Sequence, residues 1–156
     1  MFPEFELFTS VTTIGSPATT SNSGFAAKQI KIKLPNSITT FRHKVFTSSN
    51  FYAQDQLIVP ANSINSEGGF ANITTLTDII FTAATFTNLK GYMLFNNTTA
   101  NLVFPNAPAA PPAGGTMGTF KGYAYVPDSL VSAWKVVSGW SNIASRILPL
   151  SEWIHS

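Results

Sequence analysis

The chain has 156 residues, of which 44% are apolar and only 10% are charged, and its formal net charge is +2. This length suffices for one hydrophobic core, and a polar surface made of Thr, Ser and Asn favours strands and turns over exposed helices. The absence of cysteine excludes disulfides and thiolate metal sites. No apolar run approaches membrane-spanning length, and the small net charge gives little steering towards nucleic acid or anionic lipid.

Residues 1–24 predict an N-terminal arm. The opening MFPEFELF is acidic where a secretory signal needs basic residues, so we expect a chain that is made and folded in a cytoplasm. Phe2, Phe5 and Phe8 recur at every third position, which fits a short helix or an extended anchor. That anchor would pack either on a partner or on the core of this chain. The polar run that follows predicts disorder in isolation.

Residues 25–104 predict a β-rich body. In KQIKIKLPN, Ile30, Ile32 and Leu34 alternate with polar side chains, which is the period-two pattern of a half-buried strand. Short strands separated by Asn, Ser and Gly turns predict a mainly β fold, with an antiparallel β-sandwich or jelly-roll-like body. No clean leucine-rich repeat recurs at a fixed period, so the sequence does not predict a solenoid. Further strands are expected in the runs 56–60, 76–81, 91–95 and 101–105.

The Pro/Gly-rich segment 105–118 predicts a linker between the body and a C-terminal strand-helix-helix module, residues 119–156. The module is expected to begin with a strand over 123–126. A helix then follows Pro127, with Asp128 or Ser129 capping its first turn. Ser138 and Gly139 end this helix, SNIASRI forms a second helical stretch, and Pro149 stops it. The apolar faces of the two helices are expected to contain Leu130, Val131, Trp134, Val137, Ile143 and Ile147.

Residues 125–152 contain, in this order, YVPD, V, WK, W, I and PLSE. This pattern resembles a module found in Bacteroidota and their phages, with the form YVPD, V, aromatic-Lys, W, I, PLSE. That module closes BspA-like leucine-rich-repeat surface proteins and ends many phage virion proteins, including tail, fibre and head-associated proteins. The resemblance therefore implies a virion or surface protein. It covers residues 105–152 and rests on Tyr123, Tyr125-Val126-Pro127-Asp128, Val131, Trp134-Lys135, Trp140, Ile143, Arg146-Ile147 and Pro149-Leu150-Ser151-Glu152.

Three tryptophans are candidate assembly residues, together with the phenylalanines of the arm. Trp134 and Trp140 offer large apolar areas, and packing of the module onto the body or onto a neighbouring subunit is favoured over stacking on sugars. Trp153 lies beyond the motif and near the chain end, so it is the tryptophan most expected to meet a partner.

The residues offer little for catalysis. The histidines are His43, beside two cations and without a nearby carboxylate, and His155 at the end of the chain. No carboxylate spacing suggests a metal pair, although a glycosidase that uses Asp55 and Asp78 stays an alternative. We predict no enzyme activity, no cofactor and no metal.

One region is locally basic, since no acidic residue occurs between Glu6 and Asp55. A basic strand face could bind an acidic capsid surface, a polysaccharide or nucleic acid, whereas the simpler interpretation is a solvated face that discourages edge pairing. Nucleic acid is the least expected partner, because no aromatic residues are interleaved there. The cations are Lys28, Lys31, Lys33, Arg42 and Lys44.

These patterns together predict a bacteriophage virion structural protein. It would be capsid-associated, as a decoration or head-fibre protein, or a tail/fibre component, assembled in the host cytoplasm and acting through protein–protein contacts. Other virion proteins, a homo-oligomer and a host-surface glycan are the expected partners, with a trimer for a fibre-like part. The alternative is a bacterial cell-surface adhesin or carbohydrate-binding module, and a small hydrolase of the particle is a third hypothesis.

Overall fold

The fold was analysed in a computed structural model. Phe2, Phe5 and Phe8 lie outside the residues that the structure describes, as does most of the predicted arm. Within the described part of the chain, no helix is long and apolar enough to cross a membrane. The described residues are 9–15, 25, 28–65, 68–90, 93–109, 111 and 117–154.

The described strands form a four-stranded, a five-stranded and a two-stranded sheet, whose strands are, in order across each sheet, Thr13–Ile14 (β1), Thr40–Phe41 (β3), Ser63–Asn65 (β6) and Asn88–Lys90 (β8); Ile147–Pro149 (β11), Ala124–Val126 (β10), Asn101–Val103 (β9), Asp78–Phe81 (β7) and Gln56–Val59 (β5); and Gln29–Ile30 (β2) and Asn50–Phe51 (β4). All their pairings are parallel, so the mainly β prediction is confirmed and the antiparallel sandwich or jelly roll is wrong.

The chain winds as a solenoid, and from β5 to β9 it passes alternately through the five-stranded and the four-stranded sheet. Neighbours within each sheet therefore belong to successive coils. Hydrogen-bonded side chains on adjacent coils are 22 residues apart for Gln56 and Asp78 and 23 apart for Asp78 and Asn101. The sequence did not predict this solenoid, because successive coils are matched by strand register and not by a leucine pattern of fixed period.

Alternation along the strands decides which side chains enter the core. In the predicted strand around β2, Ile30, Ile32 and Leu34 are all buried, which confirms their predicted inward orientation. In β5, Leu57 and Val59 point into the core while Ile58 points outward. A parallel ladder places equivalent residues of successive coils side by side, so inward positions form continuous apolar columns.

A column of phenylalanines follows one corner of the solenoid. The rings of Phe25 and Phe46 are 5.6 Å apart, those of Phe46 and Phe70 are 5.8 Å apart, and those of Phe70 and Phe95 are 5.7 Å apart. Phe120 continues the column at 6.1 Å from Phe95. These separations suit attractive aromatic contacts, so each coil adds one ring to a shared core.

The same corner has a recurring backbone conformation. Positive φ angles occur two residues before and two residues after the phenylalanine, at Lys44 and Ser48 for the coil of Phe46. Gly68 and Asn72 hold the equivalent positions around Phe70 in the next coil. This left-handed geometry favours Gly and Asn, which occupy it at Gly68 and Asn72, although Lys44 adopts it as well.

The C-terminal module is continuous with the body. Its strands β10 and β11 extend the five-stranded sheet beyond β9, and the predicted strand over 123–126 is confirmed as β10. Within the predicted linker 105–118, Pro111 and Met117 are buried, and the indole N–H of Trp134 donates to the carbonyl of Pro108 at 3.1 Å. The described linker residues thus pack on the same core and do not separate two cores.

The helical part of the module is shorter than predicted. A 3-10 helix, Asp128–Leu130, leads into the α-helix Val131–Lys135 (α1), and a second 3-10 helix spans Trp140–Arg146. Gly139 has a φ of 89°, consistent with its predicted role at the break between helices.

Three local predictions are corrected by the structure. Ile147 and Pro149 belong to strand β11, so Pro149 does not end a helix. The run 91–95 forms no strand in its described residues, where turn conformation begins at Met93. Asp128 makes no side-chain cap at the start of its helix.

Candidate interaction surfaces

Trp134 and Trp140 lie in the core of this chain. Both are almost completely buried, their rings are 4.8 Å apart, and the ring of Phe104 lies 5.0 Å from Trp134 and 5.6 Å from Trp140. The two tryptophans therefore close the C-terminal end of the apolar core, in line with the packing interpretation. Neither ring is accessible to a partner in this structure.

Trp153 has a different position, on the outer face of the five-stranded sheet. Its indole N–H donates to Oδ1 of Asp78 at 3.3 Å, across 75 residues of sequence. Oδ2 of Asp78 accepts from Gln56 at 3.0 Å, and Oδ1 also accepts from Asn101 at 3.1 Å. Three donors thus satisfy a carboxylate whose residue is only 3% exposed, as buried polar groups require.

The segment that ends in Trp153 covers part of this outer face. Ile80 and Val103 point away from the core, in alternation with inward residues, and are nevertheless buried. The 3-10 helix Leu150–Glu152 packs against β10, and Trp153 reaches across the sheet to Asp78. Ile58 lies on the edge strand β5, outside the area that this segment covers, and is 51% exposed.

Tyr125 lies on the same face, where its environment raises its pKa. Desolvation is the largest cause, followed by the negative charge of Asp78 and by the neighbouring Tyr123 and Glu152. Both burial and nearby negative charge disfavour a phenolate. Tyr125 is therefore a neutral phenol at physiological pH.

Asp128 joins the two ends of the module. Its Oδ1 accepts the backbone N–H of Ser151 at 3.0 Å. Hydrogen bonding to Ser151, first by its side chain and then by its backbone, lowers the pKa of Asp128. The carboxylate that was expected to cap α1 thus attaches the C-terminal segment to the start of the helical region.

We expect the contact of Asp128 to make stability depend on pH in the acidic range. Because the folded-state pKa is depressed, its contribution is fully present above the unfolded value of about 3.9 and is lost as pH falls through the folded pKa. Urea midpoints measured across this range should therefore fall less steeply with decreasing pH in Asp128→Asn, which keeps an oxygen acceptor but does not titrate. Identical pH profiles for wild type and Asp128→Asn would contradict this role.

The predicted basic residues are all described, and they lie on the first coils of the solenoid. Lys28 and Lys33 are exposed and Lys31 is partly exposed, next to or near β2. Arg42 and Lys44 follow β3, on the approach to the phenylalanine corner. The cations thus lie on adjacent coils but in two groups, one near β2 in the two-stranded sheet and the other after β3 in the four-stranded sheet.

The sequence patterns did not single out Tyr52, although it is 43% exposed. Its backbone N–H donates to the carbonyl of Ile30 at 3.1 Å, which places it beside the basic stretch that follows β2. A phenylalanine followed two residues later by a small residue recurs at Phe46 and Phe70. Aligning the coils on this pattern could have identified Tyr52 as a neighbour of the basic stretch.

The carboxylates predicted as an alternative catalytic pair have different environments. Asp78 is buried and hydrogen-bonded, whereas Asp55 is exposed. The backbone carbonyl of Asp55 accepts from the N–H groups of Thr77 and Asp78 at 2.8 and 3.1 Å. Among the described residues, no group of three or more His, Asp or Glu side chains could hold a metal ion.

Comparison with known proteins gave no family assignment. No family model, curated protein or solved structure matches this chain. A functional proposal therefore depends on the solenoid, its exposed surfaces and the residues of the C-terminal module.

Proposed function

We propose that this chain is a bacteriophage virion structural protein, either capsid-associated, as a decoration or head-fibre protein, or part of a tail or fibre. The observation that carries the proposal is the construction of its C-terminal end. The residues that resemble the phage-associated module form the last strands of the five-stranded sheet and the helical cap with Trp134 and Trp140. The module thus acts as a closing unit that is integral to the solenoid.

A solenoid suits an architectural role because each coil contacts only its neighbours, and its outer faces form extended surfaces. Exposed side chains on these faces include Ile58 in β5 and Tyr123 directly before β10. Protein–protein contacts on such faces could attach the chain to a capsid or tail and could join copies of it.

The test is binding to particles. Purified protein would be sized by light scattering and then mixed with capsids stripped of their accessory proteins, followed by sedimentation. We expect a homo-oligomer and saturable co-sedimentation. Failure to sediment with capsids or with tails of a phage that encodes this protein would contradict the proposal.

A second candidate function is that of a bacterial cell-surface adhesin or carbohydrate-binding module. The observation that favours it is the parallel repeating coil, because leucine-rich-repeat proteins are also solenoids, with repeats of about 20–29 residues and stacked parallel strands. The C-terminal resemblance also extends to surface proteins of that type. Saturable binding on a glycan array without any binding to capsids would favour this function over the first.

A further inference from the structure

Successive coils of the solenoid stack along its axis, so residues about one coil apart in sequence lie side by side. Strands β2 and β4 pair in parallel with Gln29 opposite Asn50 and Ile30 opposite Phe51. Both apolar members of this pairing are buried, whereas Gln29 and Asn50 are exposed. The two-stranded sheet therefore presents a polar outer face made by two successive coils.

The same register continues one residue beyond the strands and brings Lys31 beside Tyr52. The hydrogen bond from the N–H of Tyr52 to the carbonyl of Ile30, at 3.1 Å, fixes this adjacency. Neighbouring parallel strands are separated by about 4.8 Å, so the two side chains leave the backbone next to each other. Tyr52 is 43% exposed and Lys31 is partly exposed.

Lys28 directly precedes Gln29 and lies at the margin of this face, since alternation directs its side chain to the other side of the strand from Gln29. Its carbonyl accepts the N–H of Asn50 at 2.8 Å, and its side chain is exposed. We define the amide-tyrosine face as Lys28, Gln29, Lys31, Asn50 and Tyr52. It combines two ammonium groups, two side-chain amides and one accessible aromatic ring.

Neither strand of the two-stranded sheet carries an acidic residue. The chain has no Asp or Glu between Glu6 and Asp55, which lies three residues beyond Tyr52. The positive charge of Lys28 and Lys31 is consequently not balanced by a carboxylate from either strand of the sheet.

We propose that the amide-tyrosine face binds an anionic polysaccharide. The ammonium groups would pair with carboxylates or sulfates, the amides of Gln29 and Asn50 would bind hydroxyls, and the ring of Tyr52 would pack against the apolar face of a sugar. This inference deepens the second candidate function and rests on it. It is also compatible with a virion protein that contacts a host-surface glycan.

The composition of the face favours a polysaccharide over single-stranded nucleic acid. Nucleic acid binding commonly uses several aromatic rings on which successive bases stack, in a groove that follows the phosphates. This face offers one ring, Tyr52, on a flat pair of strands. The neighbouring amides match the many hydroxyl groups of a sugar chain better than they match stacked bases.

The experiment compares two charge reversals of equal size at opposite ends of the solenoid. Lys28→Glu with Lys31→Glu alters the proposed face, and Lys121→Glu with Lys135→Glu makes the same change of net charge in the C-terminal module. Binding to polygalacturonate and to heparin would be measured at low and raised salt, with neutral dextran as the uncharged probe. We expect the first double variant to raise Kd about tenfold and the second to leave it nearly unchanged.

Two further variants separate the contributions. Lys28→Gln with Lys31→Gln should weaken binding less than the charge reversal, because it removes attraction without adding repulsion. Tyr52→Ala should raise Kd about threefold to tenfold at unchanged net charge. Circular dichroism and urea midpoints close to those of the wild type would show that the variants are folded.

Several results would overturn the inference. Equal loss of binding in both charge-reversed variants would show a response to net charge alone. Single-stranded DNA that binds to the wild type as tightly as the polysaccharides do would show a general polyanion surface or a nucleic acid site. Absence of binding to both polysaccharides would also reject it, and co-sedimentation with capsids, measured on the same preparation, would still test the virion proposal separately.

Discussion

Replacing Phe104 with alanine is expected to lower the free energy of unfolding by about 3–5 kcal/mol, which for a chain of this length lowers Tm by about 6–20 °C. Phe104 is completely buried, and its ring stacks on Phe81 with centroids 4.8 Å apart. It also contacts both Trp134 and Trp140. Truncation would therefore leave a cavity where the coils meet the C-terminal cap. Urea unfolding followed by tryptophan fluorescence measures the effect.

The matched control for this truncation is Val136→Ala. Val136 follows α1 and is 78% exposed, so losing its methyl groups should change the free energy of unfolding by no more than about 0.5 kcal/mol. If Phe104→Ala proved as mild as this surface variant, Phe104 would not join the coils to the cap.

Gly122→Ala is expected to destabilise the protein by about 2–4 kcal/mol through steric overlap. A Cβ atom at Gly122 would lie 2.9 Å from the carbonyl carbon of Ala100, closer still to its oxygen, and 3.0 Å from Cζ of Phe120. Gly122 directly precedes Tyr123 and β10, and Ala100 directly precedes β9, so the obstacle is the backbone of the adjacent coil. Relief of the overlap would require the paired strands to move apart.

Gly68→Ala is the comparison variant, because there the backbone conformation, and not a close atom, disfavours alanine. Gly68 has a φ of 56°, but the nearest atom to an added Cβ is the Cβ of Ala71 at an ordinary 3.6 Å. We expect a cost of about 1–2 kcal/mol from the left-handed backbone alone. Equal urea midpoints for Gly68→Ala and Gly122→Ala would show that close approach of the coils at Ala100 does not matter for stability.

Strand content and inward faces could be predicted from the sequence because both depend on local alternation. Ile30, Ile32 and Leu34 are buried as expected, and the strand of the C-terminal module lies where its pattern places it. Burial of Trp134 and Trp140 also follows from residue type, since such large apolar side chains gain most from leaving water.

Strand direction could not be predicted in the same way. A period-two pattern shows that one face of a strand is buried, but it is identical for parallel and antiparallel neighbours. Bonded residues on neighbouring coils vary in separation from 21 residues at Thr47 and Gly68 to 28 at Phe70 and Thr98, so no single period repeats along the sequence.

The sequence by itself determined a mainly β chain, its buried alternate residues, its structural tryptophans and its concentration of cations before Asp55. Only the tertiary structure decided that Trp153 binds Asp78 and that Lys31 lies beside Tyr52. The physical reason is the range of the interactions. Alternation and residue hydrophobicity act within a few residues, whereas these two neighbours are set by the register with which successive coils stack and by the return of the C-terminal segment across the sheet.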